Sequence, residues 1–531
     1  MLDRSDSRQR DEHSRNVQGR SRQSSSLIVR NSMFNLLGMA LIVPLNFVTL
    51  FILARRLGKE SLGEYFTLFA ISAVIFLLVS SGMTTVLVRR IAQSRNMLRK
   101  IVGEACGVLV VVCVVSVLMF LLAMIGWSAL QGRSTGWAML LAACVAIAAR
   151  HTLEFEIAVM RGVERFELEN IARVLQTGLY FLLVLLFVDS SPIGALVAFI
   201  AFAASNIVAA ILLAAILAGK WGCRSISLRR DVLSNWFSNA WPIGAGDVLR
   251  VLGWQLETLL LAILSAPAAV GLYSVAYRPL RPLQILPRSL VSVTFPMLSR
   301  AAADDRTTIR RTMAESTALL WLLSLPLALT VTICARPFLL ATAGPAYEAA
   351  ILPLQLLIWL TGFTFINTQL RFVFSAIGWE HRYWKIGFGV LVAKAMAAAI
   401  FISLWGILGA CLSVLVGEAL LTVCGICWLR VGGFTEIPWR RLMASSAAAI
   451  VTALLLLPLN IIGASLTVSL IACGAATLVF LALCLTFGAI QWRDVTSVFH
   501  AFGEMRSRLV ARTKVVSEPE EPSDVTTCSV T

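Results

Sequence analysis

The sequence predicts an all-α polytopic membrane protein with about fourteen transmembrane helices, arranged as two parallel six-helix lobes and a final helix pair. Three observations carry this. Of the 531 residues, 58% are apolar and 14% charged, whereas a soluble globular protein averages about 45–50% and 25%. The apolar residues gather into runs of spanning length, and fourteen spans at about 20 residues each use roughly 280 residues. The loops between the runs alternate between basic and nearly uncharged. A soluble enzyme and a single-pass receptor are excluded.

Residues 1–30 carry seven arginines among Ser, Gln and Asp, and read as a disordered cytoplasmic arm attracted to anionic lipid. Fourteen apolar runs follow, at 31–53, 62–87, 101–125, 136–159, 171–188, 192–218, 240–264, 268–298, 316–336, 348–376, 386–404, 407–429, 443–463 and 464–488. The first six make an N-lobe over 31–218, the next six a C-lobe over 240–429, and the last two a pair over 443–488. Asp189–Ser191, Ser265–Pro267, Trp405–Gly406 and Gly463–Ala464 are so short that they read as helical hairpin turns. Residues 489–531 form a cytoplasmic tail. In it Val495, Val498, Phe499, Phe502, Met505 and Leu509 recur at helical spacing beside Arg506, Arg508 and Arg512, as in an interfacial amphipathic helix. The acidic SEPEEPSD stretch after it reads as disordered.

Loops 89–100, 161–169, 219–239, 299–315, 377–385 and 430–441 hold 20 Lys and Arg. The alternate loops hold five: Arg55, Arg56, Lys59, Arg133 and Arg336. Positive charge stays on the cytoplasmic side, so both termini are expected inside a bacterial inner membrane. The same rule accounts for the net charge of +16 without nucleic acid, for which there is no motif. The polar first 26 residues and the absence of a small-x-small site speak against a cleaved secretory leader. Most cysteines lie inside apolar runs, and the Cys424–Cys427 pair has no second ligand pair nearby. They read as small core residues, with no metal site.

An internal repeat supports the lobes. Leu62-Gly63-Glu64-Tyr65 matches Val270-Gly271-Leu272-Tyr273 at an offset of 208, and Gly162-Val163-Glu164 matches Gly378-Trp379-Glu380 at 216. Each pair lies six spans apart, an even number, so the lobes share one orientation.

These residues also carry a family resemblance. Ala54-Arg55-Arg56-Leu57-Gly58-Lys59-Glu60-Ser61-Leu62-Gly63-Glu64-Tyr65 resembles the first-hairpin signature of the bacterial polysaccharide transporters. These are the O-antigen flippase branch of the multidrug/oligosaccharidyl-lipid/polysaccharide exporter superfamily. Gly82 to Arg90 is similar to that family's end of the second span. Trp241-Pro242, Val270 to Arg278 and Pro296 to Ser299 resemble the start of its second lobe. The likeness runs from about residue 30 to 488. It implies two lobes in a V around a central cavity. It also implies flipping of an undecaprenyl-diphosphate-linked oligosaccharide by alternating access, driven by H⁺ or Na⁺ and without other cofactors. Partners would be the lipid bilayer and, in surface-polysaccharide synthesis, a polymerase and a chain-length regulator. It places Arg55 and Arg56, exceptions to the charge rule, within a family motif.

Intramembrane charges are costly and mark functional sites or partners. Asp247, Arg250, Trp254 and Glu257 step by three, four and three along span seven, on one helical face. Arg278, Arg281, Ile285 and Arg288 repeat those steps in span eight. Counting from the Ser265–Pro267 turn sets Arg278 level with Trp254 and Arg281 near Arg250. Arg371, Lys394 and Glu418 lie in spans ten, eleven and twelve. The expected cationic lumen for a diphosphate is Arg250, Arg278, Arg281, Arg371 and Lys394, since arginine offers bidentate donors that stay charged. Asp247, one turn from Arg250, reads as a charge partner, and Arg288 as either lumen or interfacial residue. Glu257 and Glu418 have no basic neighbour so close on their own helices and read as cation-coupling candidates. The alternative is that these carboxylates only neutralise arginines or hydrogen-bond between helices.

Other polar residues have plainer readings. Pro44, Pro279, Pro282 and Pro287 kink their spans, with or without motion. Asn35, Asn46, Asn367 and Gln369 read as interhelical hydrogen-bond formers before sugar ligands. His151 and His381 read as structural. Trp236, Trp241, Trp379, Trp384, Trp439 and Trp492 read as interfacial anchors. Within the superfamily, a lipid II flippase is an alternative. A multidrug exporter fits less well, because a cation-rich lobe repels amphipathic cations. A membrane ligase or polymerase needs a sizeable outer loop, and none exceeds about ten residues. Alkaline phosphatase fused after Asp189 or after Gly463 should be active, because both lie outside; a cytoplasmic reporter active at either point overturns the topology.

Overall fold

The computed structural model describes the backbone of residues 3–132, 135–221, 227–302, 305–462 and 466–489, with side chains from Phe34 onward except at 220–221, 293, 456–462, 466 and 470. The expected interfacial tail helix and Trp492 lie outside the described residues. The described chain is all helix: α1 (3–57), α2 (59–80), α3 (Met83–Gln93), α4 (Leu98–Gln131), α5 (Trp137–Gly162), α6 (Phe166–Phe187), α7 (Gly194–Trp221), α8 (Arg230–Leu264), α9 (Pro267–Tyr277), α10 (Ile285–Ala301), α11 (Arg306–Thr342), α12 (Ile351–Ile358), α13 (Leu360–Ala376), α14 (Glu380–Trp405), α15 (Ile407–Val431), α16 (Trp439–Ile462) and α17 (Leu466–Thr486). Among the described residues nine helices are long and apolar enough to cross a membrane, or ten with the α12–α13 pair, which bends by 40° at Trp359. One of the nine, Phe34–Ser80, takes in α1 from Phe34 onward and the whole of α2. The arm expected to be disordered instead continues α1 back to Asp3 as helix; its Ser, Gln and Arg are helix-compatible and it has no proline.

The chain reverses between α1 and α2 at Gly58, where φ is +71° and ψ 172°, a left-handed conformation that favours glycine. Contacts with α6 show the reversal. Gly38 lies against Asn170 and Arg56 against the carbonyls of Val184, Leu185 and Val188, whereas Tyr65, further along, meets Tyr180 at 2.7 Å. Positions on α6 thus climb along α1 and fall along α2. Arg56 donates to those three carbonyls at 2.6–3.2 Å, and Arg55 to the Ala341 carbonyl at 3.0 Å. Both arginines sit at helix C-termini, where free carbonyls attract cations. That is the structural reason for two arginines that break the charge rule.

The repeat has a physical counterpart. A Cβ on Gly63 would overlap the Pro267 carbonyl, and one on Gly271 would overlap the Lys59 carbonyl. Each glycine of α2 or α9 therefore meets the carbonyl four residues before its repeat-related glycine, as a pseudo-two-fold axis requires. Tyr65 and Tyr273, two residues on, are both buried. At the other end of α2, Gly82 lies against Ala240, and Ser81 Oγ donates to the Gly244 carbonyl at 2.6 Å. The second proposed repeat is two residues out of register. Glu164 (φ 63°) and Gly378 (φ +71°) are the matching left-handed residues, each followed by an amide that bonds back to Met160 or Phe374. Gly162 instead packs on Ile91.

The eighth apolar run is three pieces, because Pro279 and Pro282 fall in a 3₁₀ stretch, Arg278–Gln284, between α9 and α10. Proline removes donors that an α-helix would need there. At α11 the Asp305 carboxylate caps the helix through Thr307 and Thr308, which hold it down at about 2. Gly63→Leu or Gly271→Leu should destabilise the protein by about 1–3 kcal/mol or more, read as a lower unfolding temperature in detergent. Gly178→Leu, at a position with open space around it, should be tolerated; equal losses at all three refute the crossing.

Candidate binding cavity

A cavity of about 620 Å³ lies among α8, α10, α13, α14 and α15, with all its lining from residues 243–421. Its mouth is at the helix ends beside the 377–379 turn, where Asp247, Arg288, Arg371 and Glu380 are exposed. Its deep end reaches Lys394 and Glu418, near the middles of α14 and α15, together with Asn367, Thr364 and Thr368. Trp254, Tyr383 and Trp384 supply aromatic surface. The arginines and aromatics come from different helices, so helix packing rather than one sequence stripe assembles the site.

The charges divide into paired and unpaired. Arg250 donates to Asp247 at 2.9 Å and lies 4.8 Å from the Trp254 ring. Lys394 is 2.8 Å from the Glu257 carboxylate and 2.7 Å from the Gly253 carbonyl. This pair is buried, with side-chain exposures of 9% and 0%. The Glu418 carboxylate accepts from the Asn367 amide at 2.7 Å, and Thr422 holds that amide's oxygen at 2.9 Å. Glu380 accepts from Ser375 Oγ at 3.0 Å. Among the described residues, Arg288 and Arg371 have no carboxylate within ion-pair distance, and both line the cavity. Two free guanidiniums at one mouth can hold a doubly charged anion.

Of the expected lumen residues, Arg250, Arg371 and Lys394 line the cavity, and Arg278 and Arg281 do not. Arg278 stacks on Phe66 at 3.6 Å and reaches Phe69 at 5.4 Å, on the α2 side of the lobe boundary. Arg281 donates to Gln255 at 3.3 Å and lines a small pocket that shares Gln284, Thr364 and Glu418 with the cavity. The level assigned by counting from the hairpin is about one turn out: Arg281, not Arg278, sits beside Trp254, at 5.9 Å. The cause is that α9 packs chiefly on α2, not on α8, so the hairpin arms are not in simple register. Glu257, with no close basic neighbour on its own helix, pairs with Lys394; the partner lies on α14, out of sight of single-helix periodicity. Glu418 keeps only neutral hydrogen-bond partners.

Of the expected interfacial anchors, one is misplaced. Trp236 is fully buried, with Arg90 4.4 Å from its ring, and is no interfacial anchor. Trp384 lines the cavity. Gln369 fastens α13 to α11 through the Met313 carbonyl and Ser316, as interhelical bonding requires. A further network was missed. Arg173 of α6 bonds both oxygens of Glu154 at 3.1 Å and Glu169 at 3.2 Å, and Glu169 also pairs with Arg161. Arg150 stacks on Phe76 at 4.3 Å, and His151 bonds Ser116 at 2.8 Å. The signal was present as Arg150 and Glu154 one turn apart in an apolar run.

With that geometry in place, three comparisons bear on it. The family described as "Polysaccharide biosynthesis protein" matches residues 28–302. A solved structure of the lipid II flippase MurJ in an inward closed conformation superposes with a TM-score of 0.67 at 12% identity, covering 88% of this chain and 100% of that one. An inward-facing multidrug resistance MATE transporter of the MOP superfamily gives 0.62 at 18% identity, covering 77% and 98%. At such identities the likeness shows the fold. No curated protein sequence matches the chain.

Breaking the buried Lys394–Glu257 pair by Lys394→Ala or Glu257→Ala should cost about 3–5 kcal/mol, since each leaves an uncompensated charge. The double variant Lys394→Met/Glu257→Leu should recover most of that. Thermal unfolding in detergent reads both; additive losses in the double variant would show that the two groups do not act as a pair.

Proposed function

We propose that this chain, which belongs to the polysaccharide biosynthesis protein family, is a flippase for an undecaprenyl-diphosphate-linked oligosaccharide. The observation that carries the reading is the pair of arginines, Arg288 and Arg371, that lack a carboxylate partner among the described residues and sit at the mouth of a cavity whose walls also carry Trp254, Asn367, Thr368 and Trp384. A diphosphate diester brings two negative charges, and two guanidiniums answer them with bidentate hydrogen bonds. The transporter fold and the many apolar helices support a carrier in the membrane. The basic loops favour a bacterial inner membrane with both termini cytoplasmic, and the cavity mouth then faces the leaflet in which such lipids are made. Polysaccharide polymerase and chain-length regulator are the expected neighbours in the bilayer.

Lobes joined at both ends of α2 suit alternating access. The Gly63–Gly271 crossing closes one end, and the Ser81–Gly244 and Arg90–Asn235 contacts close the other. Opening either end breaks one set and keeps the other. The gradient must act differently on the two states, and Glu418 is the carboxylate to receive H⁺ or Na⁺, because Glu257 is held by Lys394. A lipid II flippase shares the diphosphate. A multidrug exporter is disfavoured by free arginines in the cavity.

In vesicles holding a fluorescent undecaprenyl-diphosphate disaccharide, Arg288→Gln or Arg371→Gln should slow flipping on the order of 10–100-fold, as loss of one charged hydrogen bond predicts. Lys should rescue only in part. With an imposed pH gradient, Glu418→Gln should weaken the gradient's effect. Wild-type flipping by both arginine variants at normal protein levels refutes the proposal, and a wild-type gradient response in Glu418→Gln removes that residue from coupling.

A further inference from the structure

We infer that the sugar taken into the deep end of this cavity is uncharged or amine-bearing, and that sugars carrying a carboxylate are rejected. The inference rests on the flippase reading and deepens it. It starts from a ledger of the charges that line or back the cavity. The cations are Arg250, Arg288, Arg371 and Lys394, with Arg281 in the small pocket behind Glu418; the carboxylates are Asp247, Glu380 and Glu418, with Glu257 behind Lys394. Asp247 answers Arg250 at 2.9 Å, and Glu257 answers Lys394 at 2.8 Å. Arg288 and Arg371 remain, and a diphosphate uses both. Arg281 is turned to Gln255 and does not line the cavity, so no lining cation is left for an acidic sugar, whereas Glu380 and Glu418 still present carboxylates.

Position sharpens the point. Arg371 is five residues from Ala376, where α13 ends at the mouth, and Glu418 lies mid-helix in α15. In a lipid-linked head group the diphosphate separates lipid from sugar. With the lipid left in the bilayer and the diphosphate at the arginines, the sugar extends to Glu418, Asn367, Thr364 and Thr368. Hydroxyl, amide or ammonium groups can donate to Glu418 there, and the Trp254 and Trp384 rings offer apolar faces for a sugar ring. A uronate would set its carboxylate against Glu418, and like charges at close range repel. Recruiting Lys394 would strand the fully buried Glu257. Selectivity of this kind comes from a repulsive group placed against the wrong ligand.

The test uses the full chain in nanodiscs and three probes: undecaprenyl diphosphate, the same lipid bearing a neutral disaccharide, and that disaccharide with its first sugar as the uronic acid. Dissociation constants are measured by thermophoresis. The uronate probe should bind more weakly than the neutral one by a factor on the order of 10 or more, and Glu418→Gln should shrink that ratio. Equal or tighter binding of the uronate probe by wild type overturns the selectivity, whether or not the variant folds. A ratio unchanged in folded Glu418→Gln does so too, by removing its cause. Failure of undecaprenyl diphosphate itself to bind overturns the flippase reading, and the selectivity with it.

Discussion

Close backbone approach between α2 and α9 is the constraint on which the arrangement depends. Gly63 and Gly271 let two helices from different lobes touch along their backbones, with each glycine on the other helix's carbonyl. In a membrane, lipid tails are as apolar as leucine, so helix association rests on packing rather than water exclusion. Any side chain at these positions would pry the lobes apart and shift the α8–α9 hairpin. Trp254 and the 3₁₀ stretch that begins at Arg278 would move with it. The crossing thus fixes where the second lobe's charged face sits.

That face obeys a second rule, the cost of charge in a low-dielectric interior. Asp247 and Glu257 each take a cation, one from their own helix and one from α14. The buried pair gains little net stability over an apolar pair, but it fixes α14 against α8 at one place, with Lys394 also bonded to the Gly253 carbonyl. What is left over becomes informative. Arg288 and Arg371 stay free at the solvent-reached mouth, where an unpaired cation costs least.

The first lobe handles charge differently. Its arginines and carboxylates close on one another in the Arg161–Glu169–Arg173–Glu154 chain between α5 and α6. Arg150 instead rests on the Phe76 ring of α2, and the second lobe's Arg278 on the Phe66 ring of the same helix. An aromatic face attracts a cation where no carboxylate is at hand. One lobe therefore closes its charges on one another, and the other leaves Arg288 and Arg371 without a carboxylate among the described residues.

The sequence by itself determined the helical membrane architecture, because apolar run length is a property of the chain. It marked Gly63 and Gly271 as repeat partners, and it placed Asp247, Arg250 and Glu257 on one face. It mistook Trp236 for an anchor, set Arg278 level with Trp254 where Arg281 sits, and could seek a partner for Glu257 only on its own helix. Only the tertiary structure decided which cation meets which carboxylate. Lys394 reaches Gly253 across 141 residues, and helical periodicity tells which face a residue occupies without telling which helix comes to lie against it. Pairing energy falls off within a few ångströms, so the division into held and free charges is fixed by the packing of helices that the linear pattern cannot bring together.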